Sequence, residues 1–200
     1  MRLNSLTPPT ARSAVMARAV TYRGFARDDG LWDIEAHVLD TREHSEQRHE
    51  GPELKAGEPA HDMVVRVTFD AVLTVVNVET VMRATPFDDC QSAVLPMTGL
   101  IGATMGRGWR KAVDNAIGGV GGCTHLRELL YNLATPAIHT YTLHSRRHGA
   151  ESFAASANAK VVPAFVGKCI SWRIDGPVVS RTYPQFFMRS AHSETDTGRS

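Results

Sequence analysis

Gly30-Leu31-Trp32-Asp33-Ile34-Glu35-Ala36-His37-Val38-Leu39-Asp40 decides the fold, because it reads as one β-strand with two chemically different faces. Side chains alternate along a strand, so Trp32, Ile34, Ala36 and Val38 point one way and Asp33, Glu35 and His37 the other. The apolar set asks for cover. The polar set is either a solvated surface or the floor of a site, and that choice bears directly on function.

Upstream, Asp28-Asp29-Gly30 is a hairpin signal in which glycine supplies the positive φ of a tight turn, and Val20 to Ala26 is the preceding antiparallel strand. Downstream, Thr41 to Ala60 is polar and carries Gly51, Pro52, Gly57 and Pro59, a long loop of the kind that is usually functional or mobile. At His61-Asp62 a third strand begins. Met63 to Asp70 alternates, with Val65, Val67 and Phe69 opposing Arg66 and Thr68, and a turn at Asp70-Ala71 leads to a β-branched fourth strand, Val72 to about Val81. These four strands make a meander with one face to be covered.

Three helices supply the cover. Thr85-Pro86 reads as N-cap and first helical residue, with Asp88 and Asp89 in the first turn, Phe87, Cys90 and Val94 on one side, and Pro96 as the end. Trp109, Ala112, Val113, Ala116 and Ile117 follow the i, i+3, i+4, i+7, i+8 pattern between glycines. Leu126, Leu129, Leu130 and Leu133 repeat it, and Pro136 is expected to kink or end that helix. A small polar connector runs from Arg146-Arg147-His148 to Val161. Cys169 to Ile174 and Val178 to Thr182, around Asp175-Gly176, read as a closing hairpin with Pro177 at an edge. The fold class is therefore α+β: an antiparallel β-meander of about five or six strands with three main helices on one face. Residues 1–18 read as a disordered tail, 19–189 as a single domain, and 190–200 as a second tail.

A net charge of +1 offers no field for nucleic acid or anionic lipid, and no apolar run approaches bilayer-spanning length, so neither a nucleic-acid nor a membrane partner is expected. Met1 to Arg27 holds five arginines and no acidic residue. Pro8-Pro9 breaks any amphipathic helix there, and no apolar segment follows Arg2 as a secretory signal requires. Three cysteines without Cys-x-x-Cys spacing fit a reducing compartment, and the expected location is cytoplasmic.

The most specific local arrangement is Gly118-Gly119-Val120-Gly121-Gly122-Cys123-Thr124-His125 leading into the leucine-faced helix. Glycines let backbone approach a ligand closely, and a thiol at a helix N-terminus has its pKa lowered by free N–H groups and the helix dipole. Cys123 is then a nucleophile or metal ligand, with His125 assisting or ligating. The plain alternative is a turning loop with a small buried cysteine and a surface histidine. There is no capping box on Thr124, since Arg127 stands three ahead, and no Gly-Lys-Ser/Thr phosphate loop. Cys90 reads as packing or as a further ligand, and convergence of thiolates with His125 or His61 would make a soft site for zinc or iron. His61 and Asp62, at a loop-to-strand junction, join Asp33, Glu35 and His37 as candidate acid, base or ligand groups.

Arg27-Asp28-Asp29-Gly30-Leu31-Trp32-Asp33-Ile34-Glu35-Ala36-His37, His61-Asp62-Met63, Gly108-Trp109, Gly122-Cys123-Thr124-His125-Leu126 and Glu128-Leu129-Leu130 resemble the bacterial family called domain of unknown function 2889. The likeness runs from about Val20 to Thr142 and more loosely to Pro184. It implies a bacterial cytoplasmic protein encoded among genes for breakdown of aromatic or steroid-like compounds. A histidine is expected after the third cysteine in that family, whereas Ile170 follows Cys169 here.

Two functions compete on these residues. One is a catabolic enzyme of lyase, isomerase or hydrolase type acting on an aromatic or steroid-like small molecule. It would use Cys123, His125, His61, Asp62, Asp33, Glu35 and His37, without a nucleotide cofactor and with or without a metal held by Cys123, His125 and Cys90. Trp32 and Trp109 are either core or apolar wall for a ring-shaped substrate. The other is a metal or iron–sulfur carrier, or a ligand-binding module, built on the same groups.

Overall fold

A computed structural model describes residues 8–148, 162–163 and 165–188. Four antiparallel strands, β1 (Met16–Ala26), β2 (Trp32–Arg42), β3 (Pro59–Phe69) and β4 (Val75–Ala84), form one sheet in the order β1-β2-β3-β4. The alternation expected from Trp32 to Asp40 holds in β2: Trp32, Ile34, Ala36 and Val38 are buried while Asp33, Glu35 and His37 are only half-buried. Gly30 takes φ +82° in the β1–β2 turn, the conformation that selected glycine there. The first strand starts at Met16, earlier than the expected Val20.

Register then propagates the two faces. Ala36 pairs with Val65 and Ile34 with Val67, so Met63, Val65 and Val67 join the buried face, while Arg66 and Thr68 pair with Glu35 and Asp33 on the other. Over the buried face lie two 3-10 segments, Asp88–Ala93 and Leu95–Leu100, then α1 (Trp109–Ile117) and α2 (Thr124–Arg147), and all share one apolar core with the sheet. Leu126, Leu129, Leu130, Leu133 and Ala137 of α2 are fully buried, each large one contributing about 1.5–3 kcal/mol of transfer free energy. That packing carries α2 through Pro136, which lies inside the helix and does not end it. Gly24 lets α2 close on β1: a Cβ there would stand 1.8 Å from Thr140 Oγ1.

Three expectations are corrected. Among the described residues the sheet has four strands, not five or six. The helix expected from Thr85 to Pro96 is two 3-10 segments, because Thr85 Oγ1 donates to the Phe87 carbonyl instead of capping, and Pro96 opens the second segment. The closing hairpin is absent: Val178 to Thr182 belongs to α3 (Pro177–Thr182), since Pro177 with its fixed φ starts a helix after the extended Gly176.

The chain divides into two compact units, Met1–Tyr141 and Thr142–Ser200. The second contains α3 and its own aromatic core, in which Val166, Val179 and Tyr183 are buried against Phe165, Trp172 and Phe186. The expected connector up to Val161 and the tail from Ser190 lie outside the described residues. Among the described residues no helix is long and apolar enough to cross a membrane.

Candidate functional site

The buried face of the sheet turns polar at one end, and the polar groups there come from four elements. Arg18 is on β1, Asp40 on β2, His61 on β3, and Cys123 and His125 stand at the start of α2. Asp40 pairs with His61 in the β2–β3 ladder and Arg18 with Asp40 in β1–β2, so strand register alone aligns the three. A register shift between Asp40 and Thr41 ends the regular ladder there, the kind of irregularity that re-aims side chains at sites.

Asp40 is the hub. Its carboxylate is buried, with 2% of the side chain exposed, and Arg18 grips both oxygens, Nε to Oδ1 at 2.7 Å and a terminal nitrogen to Oδ2 at 2.8 Å. That guanidinium, against the cost of burial, holds the Asp40 carboxyl below the usual carboxylate range, with help from the charges of His61 and His125. An ionised carboxylate only accepts hydrogen bonds, so His61 Nδ1, 3.0 Å from Oδ2, carries a proton and donates it. His125 Nε2 lies 3.5 Å from the same oxygen. The tautomer with its proton on Nε2 would turn that N–H toward Asp40 and leave a lone pair on Nδ1.

His125 Nδ1 faces Cys123 Sγ at 3.8 Å. Cys123 directly precedes the first residue of α2, where free N–H groups gather. Burial pushes its thiol up, but the His125 imidazole and the backbone N–H groups of Leu126 and His125 together outweigh it and leave the thiol below its ordinary value. His61 shifts the other way from an exposed imidazole partnered by a carboxylate. Burial lowers it, the adjacent His125 adds to this, and Asp40 only partly opposes. The two rings lie 3.9 Å apart, centroid to centroid.

A cavity of about 570 Å³ opens over this cluster, with His61, Cys123 and His125 on one wall and Cys90 and Phe87 on another. Cys123, His125, His61 and Cys90 of the expected set thus share one space. Asp33, Glu35, His37 and Asp62 do not line it. They stand on the opposite face of the sheet and are engaged there: Asp33 by Thr68 and Arg27, Glu35 by Arg66, and His37 by Asp62 at 2.8 Å. Trp32 and Trp109 are core, and the Trp109 indole N–H donates to the Leu130 carbonyl.

Asp40 and Arg18 are absent from the set expected from sequence. The signal for Asp40 was its parity: it shares the face of Trp32, Ile34, Ala36 and Val38, a carboxylate continuing an otherwise apolar row. For a metal, the donor atoms within 4.8 Å of one another are those of Asp40, His61 and His125, not of Cys123, His125 and Cys90.

The family described as "Protein of unknown function (DUF2889)" matches residues 16–139. The chain belongs to the DUF2889 family. No curated protein and no solved structure matches it. The matched span runs from the first residue of β1 to within α2, so every residue of the Arg18, Asp40, His61, Cys123 and His125 cluster lies inside the DUF2889 region.

Proposed function

We propose that this DUF2889 protein is a thiol-dependent hydrolase of a small aromatic ester or thioester, with Cys123 as nucleophile, His125 as base and Asp40 as the positioning residue. The observation that carries the reading is the order of contacts: Cys123 Sγ to His125 Nδ1, then His125 Nε2 to the buried Asp40. Thiol, imidazole and carboxylate in that order are the parts of a nucleophilic relay, a constellation that recurs on unrelated folds. Cys123 passes its proton to His125 Nδ1 and attacks the substrate carbonyl carbon, forming a C–S bond. The leaving alcohol or thiol departs with the proton returned by His125. Water, deprotonated by the same nitrogen, then cleaves the acyl-enzyme to the free acid and regenerates the thiol. The backbone N–H groups of His125 and Leu126 reach the Cys123 thiol and suit a developing negative charge there. Phe87 supplies apolar wall for a ring.

Alkylation by iodoacetamide tests the reading without a known substrate. Exposed Cys169 serves as the reference thiol in the same molecule. The fraction of its pH 8.5 rate that each cysteine keeps at pH 6.5 cancels differences in access. Cys123 is expected to keep more than Cys169, about three- to sixfold more for each unit by which its thiol is depressed, and His125→Asn is expected to reduce the difference. Identical profiles at the two cysteines would remove the nucleophile.

A second reading, a metal-assisted or metal-carrying site, is favoured by the convergence of Asp40, His61 and His125 within 4.8 Å. Zinc or iron suits imidazole and carboxylate donors. Against it, Arg18 already holds both Asp40 oxygens and places a second cation beside any metal there. Protein purified without chelator decides: near one zinc or iron per chain, lost on His61→Ala, would favour this reading over the first.

A further inference from the structure

Beside the main cavity lies a smaller one of about 120 Å³, and the two share His61, Pro86 and Phe87. Its outer wall is the long loop after β2. The loop is held in place by reciprocal 2.9 Å backbone bonds between Glu46 and Leu54, by burial of Leu54, and by Gly57 N–H donating to the Arg42 carbonyl at 2.8 Å. His49 stacks on Phe87 at 6.5 Å, which brings the loop against the cavity.

Two arginines line this small space, and their situations differ. Arg42 is paired with Glu46 at 3.1 Å. Arg48 is half-buried and has no ion pair or side-chain hydrogen bond among the described residues. A guanidinium withdrawn from water without a partner is costly, and its planar fork matches an oxyanion.

We propose that this cavity is a carboxylate subsite anchored by Arg48, and that the substrate is an acid whose carboxylate docks there while its reactive acyl carbon reaches Cys123. This rests on the thiol reading for the position of the reacting end and on Arg48 alone for the charged end. One free guanidinium balances a single negative charge, so a carboxylate fits better than a doubly charged phosphate. Phe87, on the border of both cavities, is placed to meet a ring that joins the two ends.

Two measurements on the full chain test this. The first is binding of 4-methylbenzoate against neutral 4-methylbenzamide, which needs no thiol. The acid is expected to bind at least about tenfold more tightly, the factor one charge-assisted contact supplies, and Arg48→Gln is expected to remove the preference at an unchanged urea midpoint. The second is alkylation by 4-(bromomethyl)benzoate against 4-(bromomethyl)benzamide, in which the thiolate displaces bromide and forms an S–C bond. The acid-to-amide rate ratio at Cys123 is expected to exceed that at Cys169 by a similar factor and to fall to it in Arg48→Gln. No acid preference in binding, or one that survives Arg48→Gln, overturns the subsite. Arg48-dependent binding with an inert Cys123 upholds the subsite and overturns the thiol reading.

Discussion

Replacing Arg18 by Met removes both guanidinium contacts to Asp40 and leaves a carboxylate that is 2% exposed. Breaking a buried pair from one side costs about 3–5 kcal/mol. The low end, about 3 kcal/mol, applies here because His61 Nδ1 still donates to Oδ2 and His125 stands 3.5 Å away. Oδ1 loses the Arg18 contact outright. With urea slopes of about 1–3 kcal/mol/M, the midpoint should fall by about 1–3 M.

The loss should also depend on pH. The groups facing Asp40 are Arg18 from β1, His61 from β3 and His125 from α2, with Glu128 beyond on Arg18. In the wild type, His61 is held below its unfolded value by burial and by His125, so its contribution is fully present above the unfolded pKa of about 6.5 and is lost as pH falls through the folded one. In Arg18→Met the guanidinium charge that helps to lower His61 is gone, so its folded pKa moves back toward the unfolded value and less stability is lost as pH falls. The difference between variant and wild type should therefore be smaller at pH 5.5 than at pH 8. Asp40→Asn should cost less, about 1–2 kcal/mol, because Arg18 is a third exposed and keeps Glu128 at 2.8 Å. Urea melts of the three proteins at both pH values are the assay. A loss below about 1 kcal/mol, a pH-independent loss, or Asp40→Asn costing more than Arg18→Met would refute Asp40 as a buried charge held by Arg18.

Two packing predictions test the scaffold under the site. Gly24→Ala places a methyl 1.8 Å from Thr140 Oγ1 and 2.7 Å from its Cβ, so β1 and α2 must part. Thermal melts should show a loss of about 1–3 kcal/mol, and an unchanged Tm would mean that α2 does not close on β1 there. Trp109→Phe removes the indole N–H that reaches the Leu130 carbonyl at 2.6 Å and leaves unfilled volume at a residue 3% exposed. A loss of about 2 kcal/mol is expected by urea denaturation, and a neutral result would show that α1 is not fastened to α2 through Trp109.

The parts legible in the sequence are those set by short-range pattern. Trp109–Ile117 is a helix with the bounds its apolar period and flanking glycines suggested, and the β2 alternation is plain in Trp32 to Val38. Cys123 and His125 are close enough in sequence for their meeting to be inferred. Where local signals compete, the reading fails: Asp175-Gly176 suggests a turn between strands, and Gly176-Pro177 equally suggests a helix start, which is what forms. Composition alone cannot separate the two. Arg18 was hidden for a different reason, since the small and basic residues around it resemble a tail until β2 pairs with them.

The site itself depends on strand parity, which sequence carries but proximity in sequence obscures. His61 and Asp62 are neighbours, yet the pleat sends them to opposite faces: His61 to Asp40 and the cavity, Asp62 to His37 on the far side. Grouping them because they are adjacent joins two unrelated clusters. Grouping by register instead pairs Asp40 with His61 and Arg18 with Asp40, and it singles out Asp40 as the carboxylate on an apolar row. A charge in that position is costly unless it is compensated, and Arg18, His61 and His125 compensate it from three different elements. The apolar face that specifies the fold therefore also carries, at its polar end, the carboxylate beside which the His125 imidazole meets the Cys123 thiol.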